Sequence, residues 1–169
     1  MELSRRGKVV IRIGAALMLA LAAACSNTPK PENELGQSGR QSPATPGSTR
    51  DFAVNVGDIV YFTTDSVDLS PEATQTLTNQ ARWLQQYSQY TITIEGHADE
   101  RGTREYNIAL SARRATAARE FLLAQGVQAA RLSTIAYGKE RPVALCDAES
   151  CWSQNRRAVT VITRGAVSG

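Results

Sequence analysis

The sequence predicts an α+β domain: a mixed four-stranded sheet with helices packed on one face, in the order β-α-β-α-β-β. Three observations carry this. Short β-branched or aromatic runs alternate with longer stretches at helical spacing, a pattern that favours a mixed sheet covered by helices. Apolar texture begins at Phe52, after a polar stretch rich in Pro, Ser and Thr that lacks the material for a core. No internal repeat divides the chain beyond Phe52.

Ile59-Val60-Tyr61-Phe62 reads as a short buried strand. Ser70-Pro71-Glu72 is a helix start, with a capping serine, a proline at the first helical position and an early acid. Ala73, Leu77, Ala81 and Leu84 continue that helix as an apolar stripe. Thr91 to Glu95 alternates and is β-branched, so it reads as the second strand. Gly96 to Gly102 is a loop, and Thr103 can cap a second helix that runs to Gln125 and stops at Gly126. Leu132 to Tyr137 and Ala158 to Thr163 supply the last two strands. The Gly/Pro-containing connection between them holds Cys146 and Cys151.

Upstream of the domain the chain has the marks of an export signal. Arg5, Arg6, Lys8 and Arg12 precede an uncharged apolar run, Ile13 to Ala24, shorter than the about 20 residues a membrane-spanning helix needs. The run ends in Leu21-Ala22-Ala23-Ala24-Cys25. This resembles the lipobox of bacterial lipoproteins, with Ala22 where leucine is usual. The resemblance implies cleavage before Cys25 and acylation of its thiol. Ser26 in place of aspartate points to the outer membrane. An ordinary cleaved signal is the competing reading. Residues 1–24 are therefore read as a lipoprotein signal, 25–50 as lipidated cysteine and flexible linker, 51–165 as the domain and 166–169 as a tail. As a coil, the linker would span roughly 25–30 Å.

The formal charge of +3 belongs to the leader. Without Arg5, Arg6, Lys8, Arg12 and Glu2, the 19 basic and 16 acidic residues become 15 of each. The domain thus lacks the basic excess of a nucleic-acid-binding surface. With Cys25 acylated, Cys146 and Cys151 are either a disulfide, as an oxidising compartment permits, or two free thiols. His97 is the only histidine, too little for a zinc site, and no cofactor is implied.

One charge on the second predicted helix needs a partner. Leu110, Ala118, Phe121 and Leu122 form its apolar stripe, and Arg114 falls on that stripe, four residues from both Leu110 and Ala118. A buried arginine is costly unless paired. Asp99, with Glu100 beside it, is the expected partner. Together with the helix N-terminus they make a pocket suited to a zwitterion: cation and N–H groups for a carboxylate, Asp99 for an ammonium. A structural ion pair is the alternative.

The run Gly96-His97-Ala98-Asp99-Glu100-Arg101-Gly102-Thr103, with Glu105-Tyr106-Asn107 and Arg113-Arg114-Ala115, resembles the signature of the OmpA-like peptidoglycan-binding domains. Tyr137 to Pro142 and Asn155 to Val159 match the same family. The resemblance covers about Val56 to Ile162. It implies noncovalent binding of the peptidoglycan stem at its diaminopimelate residue, through Asp99 and Arg114, with Asn107, Thr103, Leu110, Asp65 and Thr64 around them. Thr64 departs from the aromatic or aliphatic residue common before that aspartate.

The resemblance further implies a lipid-anchored outer-membrane protein that links membrane to cell wall. Its implied partners are TolB and other components of the Tol-Pal system, in envelope integrity and membrane constriction during division. Arg101, Arg104 and Glu105 are read as rim charges that would serve either partner, and a protein-interaction module is the alternative function. A glycosidase built on Glu95, Asp99 and Glu100 is disfavoured, because carboxylates beside an arginine stay ionised and make poor acids. His97 is read as a strand-end or rim residue.

Overall fold

The computed structural model describes residues 44–164. The expected leader, the acylated Cys25, linker residues before 44 and the tail at 166–169 lie outside the described residues. Strand β1 (Ile59–Tyr61), helix α2 (Pro71–Gln86), strand β2 (Tyr90–Gly96), helix α3 (Arg104–Ala124), strand β3 (Leu132–Ala136) and strand β4 (Arg157–Arg164) follow the expected order. The sheet order is β1-β4-β2-β3. β2 pairs in parallel with β3 and antiparallel with β4, and β4 pairs antiparallel with β1, so the sheet is mixed as expected.

Alternation along β2 decides which face is buried. Tyr90, Ile92 and Ile94 are buried against Leu77, Leu84, Ala115, Ala118 and Leu122 of the two long helices. A fully buried leucine or isoleucine contributes ~1.5–3 kcal/mol, so this face supplies most of the driving force. Thr91 and Thr93 point the other way, where their hydroxyls meet Thr163 Oγ1 at 2.7 Å and Ser133 Oγ at 3.0 Å. Both long helices begin where the sequence places them: Ser70 accepts from the Ala73 N–H and Thr103 from the Tyr106 N–H. At the end of β2, Gly96 is pressed against α3. A β-carbon there would sit 1.9 Å from the Ser111 carbonyl oxygen. The glycine therefore sets how closely α3 approaches the sheet.

Two features depart from the expectation. Residues 44–50 belong by composition to the linker, but Ser48 caps a short helix α1 (Thr49–Asp51), which continues as a π-helical turn, Phe52–Gly57. Gly47 is also engaged, through its N–H to Asp51 Oδ2 (2.9 Å) and its carbonyl to the Tyr90 hydroxyl (2.8 Å). Between β3 and β4 the connection contains a helix, α4 (Glu149–Asn155). It is too short for a periodic stripe, and Ala148 gives it no side-chain cap. Its hold comes from elsewhere. The Asn155 side chain accepts from the Val143 and Ala144 N–H groups and donates to the Ala144 carbonyl. A disulfide joins Cys146 to Cys151, resolving the choice between bridge and free thiols.

Candidate functional site

The loop after β2 is tied down before its side chains act. The His97 N–H donates to the Arg157 carbonyl and the Ala98 N–H to the Gly138 carbonyl, at 2.9 and 2.8 Å. Lys139 Nζ donates to the carbonyls of Glu100 (3.0 Å) and Gly102 (2.8 Å). Asn107, buried in the first turns of α3, donates from Nδ2 to the Arg101 carbonyl at 2.6 Å. These bonds fix the segment from Asp99 to Thr103 over the N-terminus of α3.

Arg114 is fully buried, as the stripe on α3 requires. Its partner differs from the expected one: it makes no ion pair with Asp99. Nε donates to the Ser66 carbonyl (2.9 Å), Nη1 to that of His97 (3.1 Å) and Nη2 to that of Thr63 (3.1 Å). One guanidinium thus joins the loop after β1, the loop after β2 and α3. The Phe62 ring lies 5.2 Å away. Burial pushes the Arg114 pKa down to about 10, against the attraction of Asp99, so the group stays charged at neutral pH.

Asp99 is only 7% exposed. Its two oxygens accept from Arg101 Nη2 (2.6 Å), Arg101 Nε (3.3 Å), the Arg101 N–H (3.2 Å) and Arg156 Nη1 (3.2 Å). Burial works against its charge, and the hydrogen bonds from Arg101 and Arg156 more than offset it, holding the carboxyl below its ordinary range. Arg156, itself buried, also pairs with Glu149 of α4 and donates from Nε to the Phe62 carbonyl (3.1 Å). Its position beside Arg157 gave no signal that it would reach Asp99.

A cavity of about 250 Å³ collects most of the sequence-predicted residues: Asp99, Arg114, Asn107, Leu110, Asp65 and Thr64 all line it. Thr103 does not; it caps α3. Arg101, Gly102 and Tyr106 complete the wall. Asp65 takes a left-handed backbone (φ 52°), and its carboxylate accepts from the Tyr106 hydroxyl, whose pKa that bond raises. Glu95 is not part of the lining. A fixed cation and an ionised carboxylate in one small cavity can hold opposite charges of one ligand. A larger open groove, about 580 Å³, shares Thr64 and runs past Tyr61, Ser70, Gln154 and Arg156. Among the described residues its one lining cation is Arg156, which pairs with Asp99 and Glu149.

His97 is 2% exposed, which places it inside and not on the rim. Neither ring nitrogen has a hydrogen-bond partner among the described residues. Glu95 lies 3.7 Å from Nε2, but burial, together with the positive Arg157 and Arg141, outweighs it and lowers the pKa to about 4. The ring is neutral and packs 5.4 Å from that of Tyr137. Among the described residues no cluster of three or more His, Cys, Asp or Glu could hold a metal ion, and no helix is long and apolar enough to cross a membrane.

Comparison with known proteins places these features in a wider set. The OmpA family model matches residues 61–156. The peptidoglycan-associated lipoprotein of Agrobacterium fabrum is 59% identical over 162 residues, covering 96% of this chain and 91% of the relative. That of Pseudomonas aeruginosa is 41% identical over 167 residues, covering 93% and 97%. Among solved structures, the peptidoglycan-associated lipoprotein of Burkholderia pseudomallei superposes with a TM-score of 0.65 at 38% identity, over 69% of this chain and all of the other. The C-terminal domain of Helicobacter pylori MotB gives 0.60 at 22% identity, over 64% and 86%, a likeness of fold alone.

Proposed function

Because the chain belongs to the OmpA family, we propose that it is a lipid-anchored protein of the outer membrane whose domain holds peptidoglycan noncovalently. The ligand group is the diaminopimelate of the peptide stem. Asp99 takes its ammonium, the Arg114 side supplies the positive field for its carboxylate, and Asn107, Leu110, Asp65 and Thr64 shape the wall. Thr103 acts at one remove, by capping α3. The observation that carries this reading is the small cavity in which a buried arginine and an ionised aspartate meet. It accords with the names of the relatives. The chemistry is binding, not catalysis: a carboxylate held by two guanidinium groups has no proton to donate at neutral pH.

The anchor at Cys25 turns binding into a link between membrane and wall, which supports envelope integrity and constriction of the outer membrane in division. A second partner, TolB with the Tol-Pal system, fits the rim of the same cavity. The exposed Tyr106 of the cavity wall and the exposed Arg104–Glu140 pair (3.0 Å) at the start of α3 offer polar groups to such a partner. The two partners would then compete.

Sedimentation with purified peptidoglycan tests the reading. The parent domain is expected to pellet, and a diaminopimelate-containing stem peptide to release it. Asp99→Asn keeps the shape but removes the charge, and is expected to stay in the supernatant while its circular dichroism matches the parent. Equal pelleting of both proteins would place the ligand elsewhere.

A further inference from the structure

The carboxylate that this reading reserves for an ammonium is already filled. Carboxylate oxygens offer roughly four lone-pair positions, and Asp99 accepts from four donors: the Arg101 N–H, Nε and Nη2, and Arg156 Nη1. A ligand cation can reach Asp99 only if one guanidinium gives way. Arg156 is not free to do so. Its side chain is 5% exposed, its Nε is held by the Phe62 carbonyl and its terminal nitrogens by Glu149. Arg101 is. Its side chain is 39% exposed, and the one other hydrogen bond of its guanidinium, Nη2 to Thr64 Oγ1, is long at 3.4 Å.

Arg101 is nevertheless placed by something besides Asp99. Its Cζ lies 4.3 Å from the centroid of the Trp152 ring, a cation–π distance. Trp152 belongs to α4 and is steadied by a bond from Nε1 to Glu100 Oε1 (2.9 Å). The Cys146–Cys151 bridge closes the loop leading into the same helix. The guanidinium is thus held over the cavity by a separate element, whose only contribution to the cavity is through Arg101 and the Arg156–Glu149 pair.

We propose that Arg101 is a built-in surrogate for the ligand's ammonium, seated on Asp99 until a zwitterionic ligand displaces it. This rests on the reading of the cavity as a diaminopimelate site. The surrogate has two effects. Asp99 stays ionised and oriented without ligand, so the site is preorganised. Affinity is also set by an exchange of cations on one carboxylate, and removing the internal competitor tightens binding.

Calorimetric titration with a diaminopimelate-containing stem peptide tests this on the intact domain. Arg101 is exposed on a loop, and Arg156 still holds Asp99 in its absence. Arg101→Gln is expected to bind roughly fivefold more tightly than the parent, the worth of one half-exposed ion pair. Arg101→Lys, which keeps the charge but loses the fork, is expected to fall between them. Equal or weaker binding by Arg101→Gln, with Asp99→Asn still abolishing the signal, overturns the surrogate and makes Arg101 a passive or direct ligand contact. If the parent does not bind, or Asp99→Asn binds like the parent, the cavity assignment fails and takes the surrogate with it.

Discussion

Arg114 and His97 show how two buried titratable groups on neighbouring segments reach opposite charge states. Arg114 keeps its proton because burial, opposed by Asp99, lowers its pKa only to about 10, and three carbonyls accept from its guanidinium. His97 is neutral at neutral pH because burial, and after it the nearby Arg157 and Arg141, lower its pKa to about 4. The histidine has a consequence for stability. Unfolded, it titrates near 6.5; folded, at about 4. Between these values only the unfolded chain binds the proton, so stability falls as the pH drops from about 6.5 to about 4 and is unaffected by His97 above that window. Over the whole window the loss amounts to roughly 3–3.5 kcal/mol. Urea denaturation at pH 7 and pH 4.5 is expected to show it in the parent and to show a smaller drop in His97→Phe, whose ring keeps the packing on Tyr137. Matching slopes for the two proteins would assign the acid sensitivity to the carboxylates. The sequence makes part of this legible. Periodicity puts Arg114 on the buried stripe, but its partners are backbone carbonyls, which no letter of the sequence marks. Asp99 looks like the natural counter-ion because side chains are what a sequence displays. His97 gives no burial signal, lying beyond the strand alternation that ends at Gly96.

At the scale of elements, the long pieces are readable and the short ones are not. Helices α2 and α3 announce themselves by Ser70-Pro71 and Thr103 and by an apolar stripe, and β2 by strict alternation. Helix α4 has none of these and depends on long-range bonds: the Asn155 side chain to Val143 and Ala144, Arg156 to Asp99, and the disulfide. An element held from outside is the one most sensitive to losing a staple. In the chain-entropy account, a loop as short as that between Cys146 and Cys151 contributes about 2 kcal/mol. The double variant Cys146→Ser/Cys151→Ser is expected to lose about that much in chemical denaturation. The change is expected to be local as well, with amide exchange rising in residues 149–155 and little altered in β2. Uniform acceleration across the sheet would mean that α4 unfolds only with the whole domain.

Across the molecule, the place where the chain enters the domain and the place where the cavity sits are separated by the length of the central strand. Gly47 is clasped at one end: its carbonyl accepts from Tyr90, the first residue of β2, and its N–H donates to Asp51 Oδ2, which also accepts from Trp83 Nε1 (2.9 Å). Asp99 lies three residues past Gly96, the last residue of β2. A strand rising about 3.3 Å per residue puts the two ends of β2 some ~20 Å apart. If Cys25 is held in a membrane and Asp99 at the cell wall, tension runs through the clasp and along β2. This strand is flanked by β4 and β3, and hydrogen bonds in an antiparallel ladder lie across the strand direction, so a pull along β2 loads them together instead of one at a time. The clasp has only a few bonds and should yield first. Asp51→Ala removes the acceptor shared by Gly47 and Trp83 and leaves the buried indole N–H unpaired, a cost of about 1–3 kcal/mol. Single-molecule pulling between residue 44 and a cysteine placed at Glu100 is expected to show a short early extension at lower force in Asp51→Ala, with the force of the main unfolding event unchanged. A main event that weakens in step with the early one would show that clasp and sheet bear the load as one unit.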